Sequence, residues 1–182
     1  VQLGSAMNYE SARAMLEAFG QNKYDATGIT AWKFNTAWAT TLSWQFVDYY
    51  LRPTGAYYGA KRALEPVHVQ YSYGNRSVWV VNSTRRPFDG VTVDVKMFDF
   101  EMNPLLDRVQ TVPLKGDDSV PVMVLPPFKE AKGGVFLWLA AKNLAGKRLS
   151  RNFYWLSRIP PKPAPKVHGV VPLWFERRGK LR

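Results

Sequence analysis

The chain contains no cysteine. That absence excludes disulfide bridges, thiolate zinc sites and catalysis by a cysteine nucleophile. Histidine is almost as scarce, and the two present, His68 and His168, lie far apart in the sequence. The chain also lacks the His, Asp and Glu spacing of a metal site, a G-x-S-x-G turn and a glycine-rich phosphate loop. The sequence therefore predicts neither a metal nor a cofactor.

Long apolar runs are missing as well. No run reaches the roughly 18 apolar residues of a membrane-spanning helix, so no membrane contact is predicted. The chain begins with Val1, Gln2 and Leu3, without an initiator Met or the basic-then-apolar pattern of a signal peptide. We therefore expect a piece of a longer protein, arising as a natural product, by proteolysis or by truncation of the sequence.

What the chain does have is apolar and basic material. Of its 182 residues, 46% are hydrophobic and 14% aromatic, and seven are Trp, which is ample for a packed core. The formal net charge is +11. Residues 159–182 form a Pro-rich basic tail with six Lys and Arg against one Glu. Since this tail carries no nucleic-acid motif, we expect a solvated segment and no nucleic-acid partner.

The apolar residues of 1–66 are spaced mainly as in helices. Asn8 can cap a helix that Gly20 would end, and the i, i+3, i+4, i+7 pattern predicts an apolar stripe on it. A strand is predicted over residues 28–34, and further helices over residues 41–51 and 56–65, the last ended by Pro66. The residues of the predicted stripe are Ala12, Met15, Leu16 and Phe19.

After Pro66 the apolar period changes to two. The pattern predicts seven short strands punctuated by turns, which is typical of an antiparallel sandwich of immunoglobulin type. We therefore predict a mixed α+β chain with three parts: residues 1–66, residues 67–158 and the tail. The predicted strands cover residues 67–71, 77–81, 91–100, 108–114, 119–125, 135–141 and 149–156.

Catalytic carboxylates are not evident. A glycosidase requires two of them flanking the scissile bond. None of those in residues 1–66 lies at the C-terminal end of the predicted strand, where the active sites of barrels are found. We interpret each as a solvated charge and predict no catalytic residue. They are Glu10, Glu17, Asp25, Asp48 and Glu65.

The most informative segment is the one that ends the predicted strand, where Trp32, Asn35 and Trp38 form a W-x-x-N-x-x-W pattern. An indole ring can stack on the apolar face of a sugar, and an amide can bond a hydroxyl group. Packed core tryptophans are the alternative interpretation of the same pattern. We name these three residues as candidate substrate-binding residues.

This pattern resembles the segment after the eighth barrel strand in exo-β-D-glucosaminidases of glycoside hydrolase family 2. The resemblance extends, in order, through residues 48–59, 63–72, 80–88 and 150–156, and it includes the related β-mannosidases and plant endo-β-mannosidases. It implies that residues 1–66 are the C-terminal piece of a (β/α)8 TIM barrel, followed by the immunoglobulin-like sandwich. It also implies a retaining hydrolase whose carboxylates lie upstream and are absent here.

The expected parent enzyme acts on β-linked glucosamine in chitosan-type oligosaccharides, with β-mannosidase or endo-β-mannosidase as the alternative. Its partners would be an amino-sugar or mannoside oligosaccharide and a companion polypeptide carrying the rest of the barrel. We expect that parent to be secreted or periplasmic and this chain alone to be inactive. A non-catalytic sandwich that acts as a scaffold or sugar-binding module remains open, as does an interaction protein that binds an acidic partner through its tail.

Overall fold

The computed structural model describes residues 2–39, 45–128 and 133–157. Two helices, α1 (Gln2–Gln21) and α2 (Gly55–Ala63), precede seven strands. The basic tail lies outside the described residues. The strands are β1 (Val67–Ser72), β2 (Ser77–Asn82), β3 (Phe88–Asp99), β4 (Pro104–Leu114), β5 (Asp118–Val124), β6 (Gly134–Asn143) and β7 (Arg148–Ser157).

The strands form two antiparallel sheets, of order β1-β2-β5 and β4-β3-β6-β7. Alternate residues point inward, as the period of two predicts. On β7, for example, Asn152, Tyr154 and Leu156 are buried while their neighbours face outward. The predicted seven-stranded sandwich is confirmed. Its core consists mainly of Val, Leu and Tyr side chains from both sheets.

The two helices pack against each other at close range through small residues. A Cβ atom on Gly55 would lie 1.9 Å from the backbone oxygen of Ser5, and one on Gly59 would lie 2.2 Å from that of Tyr9. Only glycine permits such an approach of one backbone to another. The G-x-x-x-G spacing on α2 therefore sets the distance between α1 and α2.

The predicted ends and faces of the first helix were partly wrong. The helix begins at Gln2, so Asn8 lies inside it and is not its cap, and it continues past Gly20 to Gln21. Of the predicted stripe, Met15 is exposed and Phe19 only half-buried. The buried positions are Ala12, Arg13, Leu16 and Glu17, so polar and apolar residues share one face.

Two other predicted elements are wrong. Residues 28–34 form no strand, because no strand among the described residues lies beside them to satisfy their backbone groups. An isolated bridge from Asn35 to Val47 follows directly after the segment. Residues 45–51 form bends and a turn instead of a helix, and residues 41–44 lie outside the described residues. A barrel fragment over residues 1–66 stays a prediction.

Candidate functional site

The three predicted binding residues lie in a segment between α1 and α2. Trp32 is 82% exposed and Trp38 64% exposed, so neither indole packs in a core in this structure. Asn35 is also exposed, and its side-chain amide donates a long hydrogen bond, 3.4 Å, to the backbone oxygen of Thr36. The segment therefore presents two aromatic faces and an amide to solvent. The peptide bond between Trp32 and Lys33 is cis.

Contacts with residues 45–54 hold this segment in place. The backbone N–H of Val47 donates to the oxygen of Phe34 at 3.0 Å, and the rings of Phe34 and Phe46 lie 6.2 Å apart. Val47 is buried and also forms a bridge with Pro53. We call residues 28–38 with this support the tryptophan loop. Its anchor is local and small, and both tryptophans stay largely exposed.

The ring of Trp38 has one charged neighbour. The ammonium nitrogen of Lys33 lies 5.8 Å from the centre of that ring, within the range of a cation–π contact. The carboxylate nearest in sequence, Asp48, pairs with Arg52 at 2.7 Å. Desolvation opposes the ionisation of Asp48, yet hydrogen bonds from Arg52 hold the pKa of the carboxyl below its usual value. The loop can thus stack on a ligand, and the Asp48 carboxylate beside it is held by Arg52.

The largest concentration of polar chemistry lies elsewhere, in a buried cluster that joins α1 to the sandwich. Glu17 Oε1 accepts hydrogen bonds from the Tyr154 hydroxyl at 2.9 Å and the Asn152 amide at 2.7 Å, and it lies 2.9 Å from His68 Nε2. The prediction that Glu17 is a solvated charge is wrong, because its side chain is 2% exposed. We call these four residues with Arg13 and Glu65 the polar joint.

Glu65 completes the joint from the residues after α2. Its Oε2 accepts a hydrogen bond from Ser150 Oγ at 2.6 Å and lies 3.2 Å from His68 Nδ1, and its Oε1 accepts one from Arg62 at 2.5 Å. Predicting Glu65 as a solvated charge was therefore also wrong. Both ring nitrogens of His68 face carboxylates from two different elements.

Arg13 reaches from α1 across to β7. Its guanidinium donates to Asn152 Oδ1 at 2.9 Å and to the backbone oxygen of Phe153 at 2.6 Å, and it lies 4.2 Å from the centre of the Tyr154 ring. Glu10 accepts a further hydrogen bond from it. This side chain is almost fully buried, and its hydrogen bonds connect α1 to β7 of the sandwich.

The joint also satisfies the edge of β1, which faces β7 across the sandwich. The backbone N–H of Val69 donates to Ser150 Oγ at 3.2 Å, and that of Tyr71 donates to the Tyr154 hydroxyl at 3.0 Å. Asn152 donates to the oxygen of Val69 at 3.1 Å. Inward side chains of β7 thus pair backbone groups that an edge strand would otherwise leave unpaired.

These surroundings set the charge of the joint. Burial alone would lower the pKa of His68, but hydrogen bonds to Glu17 and Glu65, with their charges, raise the pKa above its usual value. Burial would raise the pKa of Glu65, yet hydrogen bonds from His68 and Ser150 lower it. Burial raises the pKa of Tyr154 well above its usual value and that of Tyr73 to about 12. The contacts between His68 and Glu65 thus favour the charged form of both groups.

Sequence reasoning missed Arg13, Asn152 and Tyr154 as members of this site. The alternation on β7 places Ser150, Asn152 and Tyr154 inward, which was the available signal for two of them. Arg13 carried no signal, because a helix pattern based on apolar residues does not detect a buried cation.

Within residues 2–39, 45–128 and 133–157, no group of three His, Asp or Glu is placed to hold a metal ion. The same residues contain no helix long and apolar enough to cross a membrane.

Comparison with known proteins gives the family. The Mannosidase Ig/CBM-like domain profile matches residues 74–160. An exo-β-D-glucosaminidase of Streptomyces avermitilis is 40% identical over 167 residues, covering 88% of this chain and 18% of the relative. A mannosylglycoprotein endo-β-mannosidase of Lilium longiflorum is 33% identical over 159 residues, which cover 85% of this chain and 16% of the relative. The crystal structure of an exo-chitosanase of Amycolatopsis orientalis matches with a TM-score of 0.81 at 33% identity, covering 87% of this chain and 19% of that one.

Residues 74–160 belong to the Mannosidase Ig/CBM-like domain family, and most of the chain is similar to glycosidases of glycoside hydrolase family 2. Within that family it is similar to the exo-β-D-glucosaminidases and to the β-mannosidases. The resemblance stated from the sequence is thereby confirmed. The chain spans less than a fifth of the length of these relatives.

Proposed function

We propose that this chain is the C-terminal portion of a retaining exo-β-D-glucosaminidase that acts on chitosan-type oligosaccharides. The observation that carries the proposal is the 40% identity to the Streptomyces avermitilis enzyme across 88% of this chain. The exo-chitosanase of Amycolatopsis orientalis has also been solved with PNP-β-D-glucosamine. A β-linked glucosaminide is accordingly the substrate class of the proposal.

We propose that the catalytic carboxylate pair lies outside this chain. Retaining glycosidases place their two carboxyl groups about 5–5.5 Å apart around the sugar. Four of the five carboxylates of residues 1–66 are engaged otherwise. Glu17 is buried in the joint and Glu65 binds His68. Glu10 binds Arg13, and Asp48 binds Arg52. We place the pair on upstream barrel strands, carried by the same parent chain or by a companion polypeptide.

The role of the helices and the tryptophan loop follows from this arrangement. We place residues 1–66 at the end of a (β/α)8 barrel, with the loop on the face where barrel active sites gather. Trp32 would form a wall of the sugar site, with Trp38 and Asn35 beside it. Its exposure supports this role, since an exposed indole face is available for a ligand.

In this account the sandwich is a scaffold. The polar joint ties α1 to β1 and β7, so the helices that flank the tryptophan loop have a fixed position on the sandwich. The hydrogen bonds that Glu17 Oε1 accepts from Asn152 and Tyr154 cross from the helix to β7 and restrict the movement of one against the other. A scaffold of this kind would hold the loop at a defined distance from the carboxylates of the parent enzyme.

The second candidate is a portion of a β-mannosidase or endo-β-mannosidase, favoured by the identity to the Lilium longiflorum enzyme. The two candidates share the scaffold and differ in the sugar. A third role, a sandwich that binds or holds without catalysis, is compatible with the engaged carboxylates of this chain.

A chimera tests the proposal. The matched segment of the Streptomyces avermitilis enzyme is replaced by the corresponding residues of this chain, and hydrolysis of PNP-β-D-glucosamine and of the matching β-mannoside is measured. We expect activity on the glucosaminide and none from the purified 182-residue chain. A folded chimera without activity on the glucosaminide, or one active on the mannoside alone, contradicts the proposal, as does turnover by the isolated chain.

A further inference from the structure

A cavity of about 330 Å³ opens where the helices meet the outer face of the four-stranded sheet. This size lies at the lower end of the range for small-molecule sites, about 300–1,000 Å³, and such sites favour junctions between structural units. None of its lining residues belongs to the tryptophan loop. We call it the junction groove. The side chains that shape it are Tyr9, Glu10, Arg62, Trp138, Arg151 and Phe153.

One wall of the junction groove is aromatic. Trp138 of β6 and Phe153 of β7 are cross-strand partners, so their side chains leave the sheet on the same outer face. The Phe153 ring packs against Phe136 at 5.6 Å between centres, which fixes its position. Together Trp138 and Phe153 give the groove an apolar wall of the kind on which a pyranose ring can lie.

The opposite wall is polar and supplies hydrogen-bonding groups of both kinds. Glu10 Oε2 accepts from Arg13, which leaves Oε1 as an acceptor. Arg62 uses Nη1 to bind Glu65, which leaves other N–H groups as donors. The guanidinium of Arg151 forms no hydrogen bond or ion pair with any residue that the structure describes, so it adds further donors. Planar donors and a carboxylate acceptor suit the adjacent hydroxyl groups of a sugar.

The charge around the groove distinguishes between sugars. Arg13 is balanced by Glu10 and Glu17, and Arg62 by Glu65. Arg151 is the groove cation left without a carboxylate partner among the described residues. A protonated glucosamine unit carries an ammonium group that this guanidinium repels, whereas an uncharged pyranose does not.

We propose that the junction groove is a non-catalytic binding site for an uncharged β-linked pyranose unit, such as an N-acetylated glucosamine unit. The ring lies against Trp138, and Glu10, Arg62 and Arg151 bond its hydroxyl groups. The site lies wholly within this chain, so its existence does not depend on the catalytic role proposed for the parent enzyme, whereas the choice of an N-acetylated glucosamine unit rests on the proposed function. Its ligand is the acetylated counterpart of the glucosaminide proposed as substrate there.

The 182-residue chain itself allows the test. Triacetylchitotriose and chitotriose are titrated separately at pH 5, where the amines of chitotriose are protonated, and binding is followed by calorimetry. We expect triacetylchitotriose to bind at least about tenfold more tightly, and Trp138→Ala to weaken its binding about tenfold. Trp155→Ala, on the same sheet face but outside the groove lining, should change it less than about twofold. Equal losses in the two Trp variants, or no binding at millimolar sugar, overturn the proposal.

A second variant keeps the test decisive if Trp138→Ala does not fold. Arg151 is exposed, so Arg151→Glu retains the fold and replaces a repelling charge by an attracting one. We expect the preference for triacetylchitotriose over chitotriose to shrink by about tenfold or to reverse. A preference unchanged in this variant shows that Arg151 does not face the ligand and overturns the assignment.

Discussion

Glu17 Oε1 and His68 Nε2 lie 2.9 Å apart, with both side chains at most 2% exposed. This contact joins α1 to β1, two elements separated by the whole tryptophan loop in the sequence. It links the helical part of the chain to the sandwich by a buried, directional bond. The orientation of α1 on the sandwich is therefore specified by polar pairing between buried side chains.

Removing Glu17 should strongly destabilise the chain. Glu17→Ala deletes the shared acceptor of His68, Asn152 and Tyr154, leaving buried polar groups unpaired. Breaking a buried pair in this way costs about 3–5 kcal/mol, which urea denaturation at neutral pH would measure. Glu101→Ala is the control, since that residue is exposed, and it should leave the unfolding midpoint unchanged. A Glu17→Ala variant as stable as the control would show that the joint contributes nothing to stability.

The stabilising effect of His68 should depend on pH in one direction. A pKa raised in the folded state stabilises the fold fully below the unfolded value, about 6.5, and this contribution is lost as pH rises through the higher folded value. The groups that face His68 are Glu17 from α1, Glu65 after α2 and Asn152 from β7.

The measurement compares the free energy of unfolding of the wild type and His68→Gln at pH 6, 7, 8 and 9. We expect the advantage of the wild type to be largest at pH 6 and to decline at higher pH. Glu65, whose pKa is lowered, contributes its own change only at acidic pH, as pH falls through its folded value. An advantage that grows with rising pH would mean that His68 is buried in its neutral form.

Gly59→Ala should separate the two helices. The added Cβ would meet the backbone oxygen of Tyr9 at 2.2 Å, and backbone cannot move aside as a flexible side chain can. Overpacking of this kind costs about 1–3 kcal/mol or more, seen as a lower melting temperature. Gly4→Ala is the matched control, because its Cβ meets nothing within 4 Å. Its expected effect is neutral to stabilising, and equal losses in both variants would contradict the packing argument.

The sequence predicted the sandwich well and the polar joint poorly, for one physical reason. Alternation on strands such as β7 reflects local burial, which a single sequence displays. Glu17 and Arg13 have the composition of a solvated helix face, and only the distant partners Asn152 and His68 reveal that this face is buried. Contacts between residues so far apart in the chain leave no local pattern.

The tryptophan loop shows a different limit. Ile29, Trp32 and Phe34 have strand-like composition, which predicted a strand over residues 28–34. A strand requires a partner edge for its backbone groups, and no strand among the described residues lies beside this segment. Composition therefore identified the exposed aromatic residues, while the structure of the segment depends on neighbours that the pattern does not contain.

The central claim is that this chain supplies a wall of a sugar site whose carboxylates lie elsewhere, and kcat/KM of the chimera on PNP-β-D-glucosamine tests it most directly. Trp32→Ala should lower kcat/KM about tenfold or more, equivalent to about 1.4 kcal/mol of transition-state binding. Trp155→Ala should not change it, and both variants should melt at the temperature of the parent chimera. An unchanged kcat/KM in Trp32→Ala, or a loss that only follows its unfolding, contradicts the account.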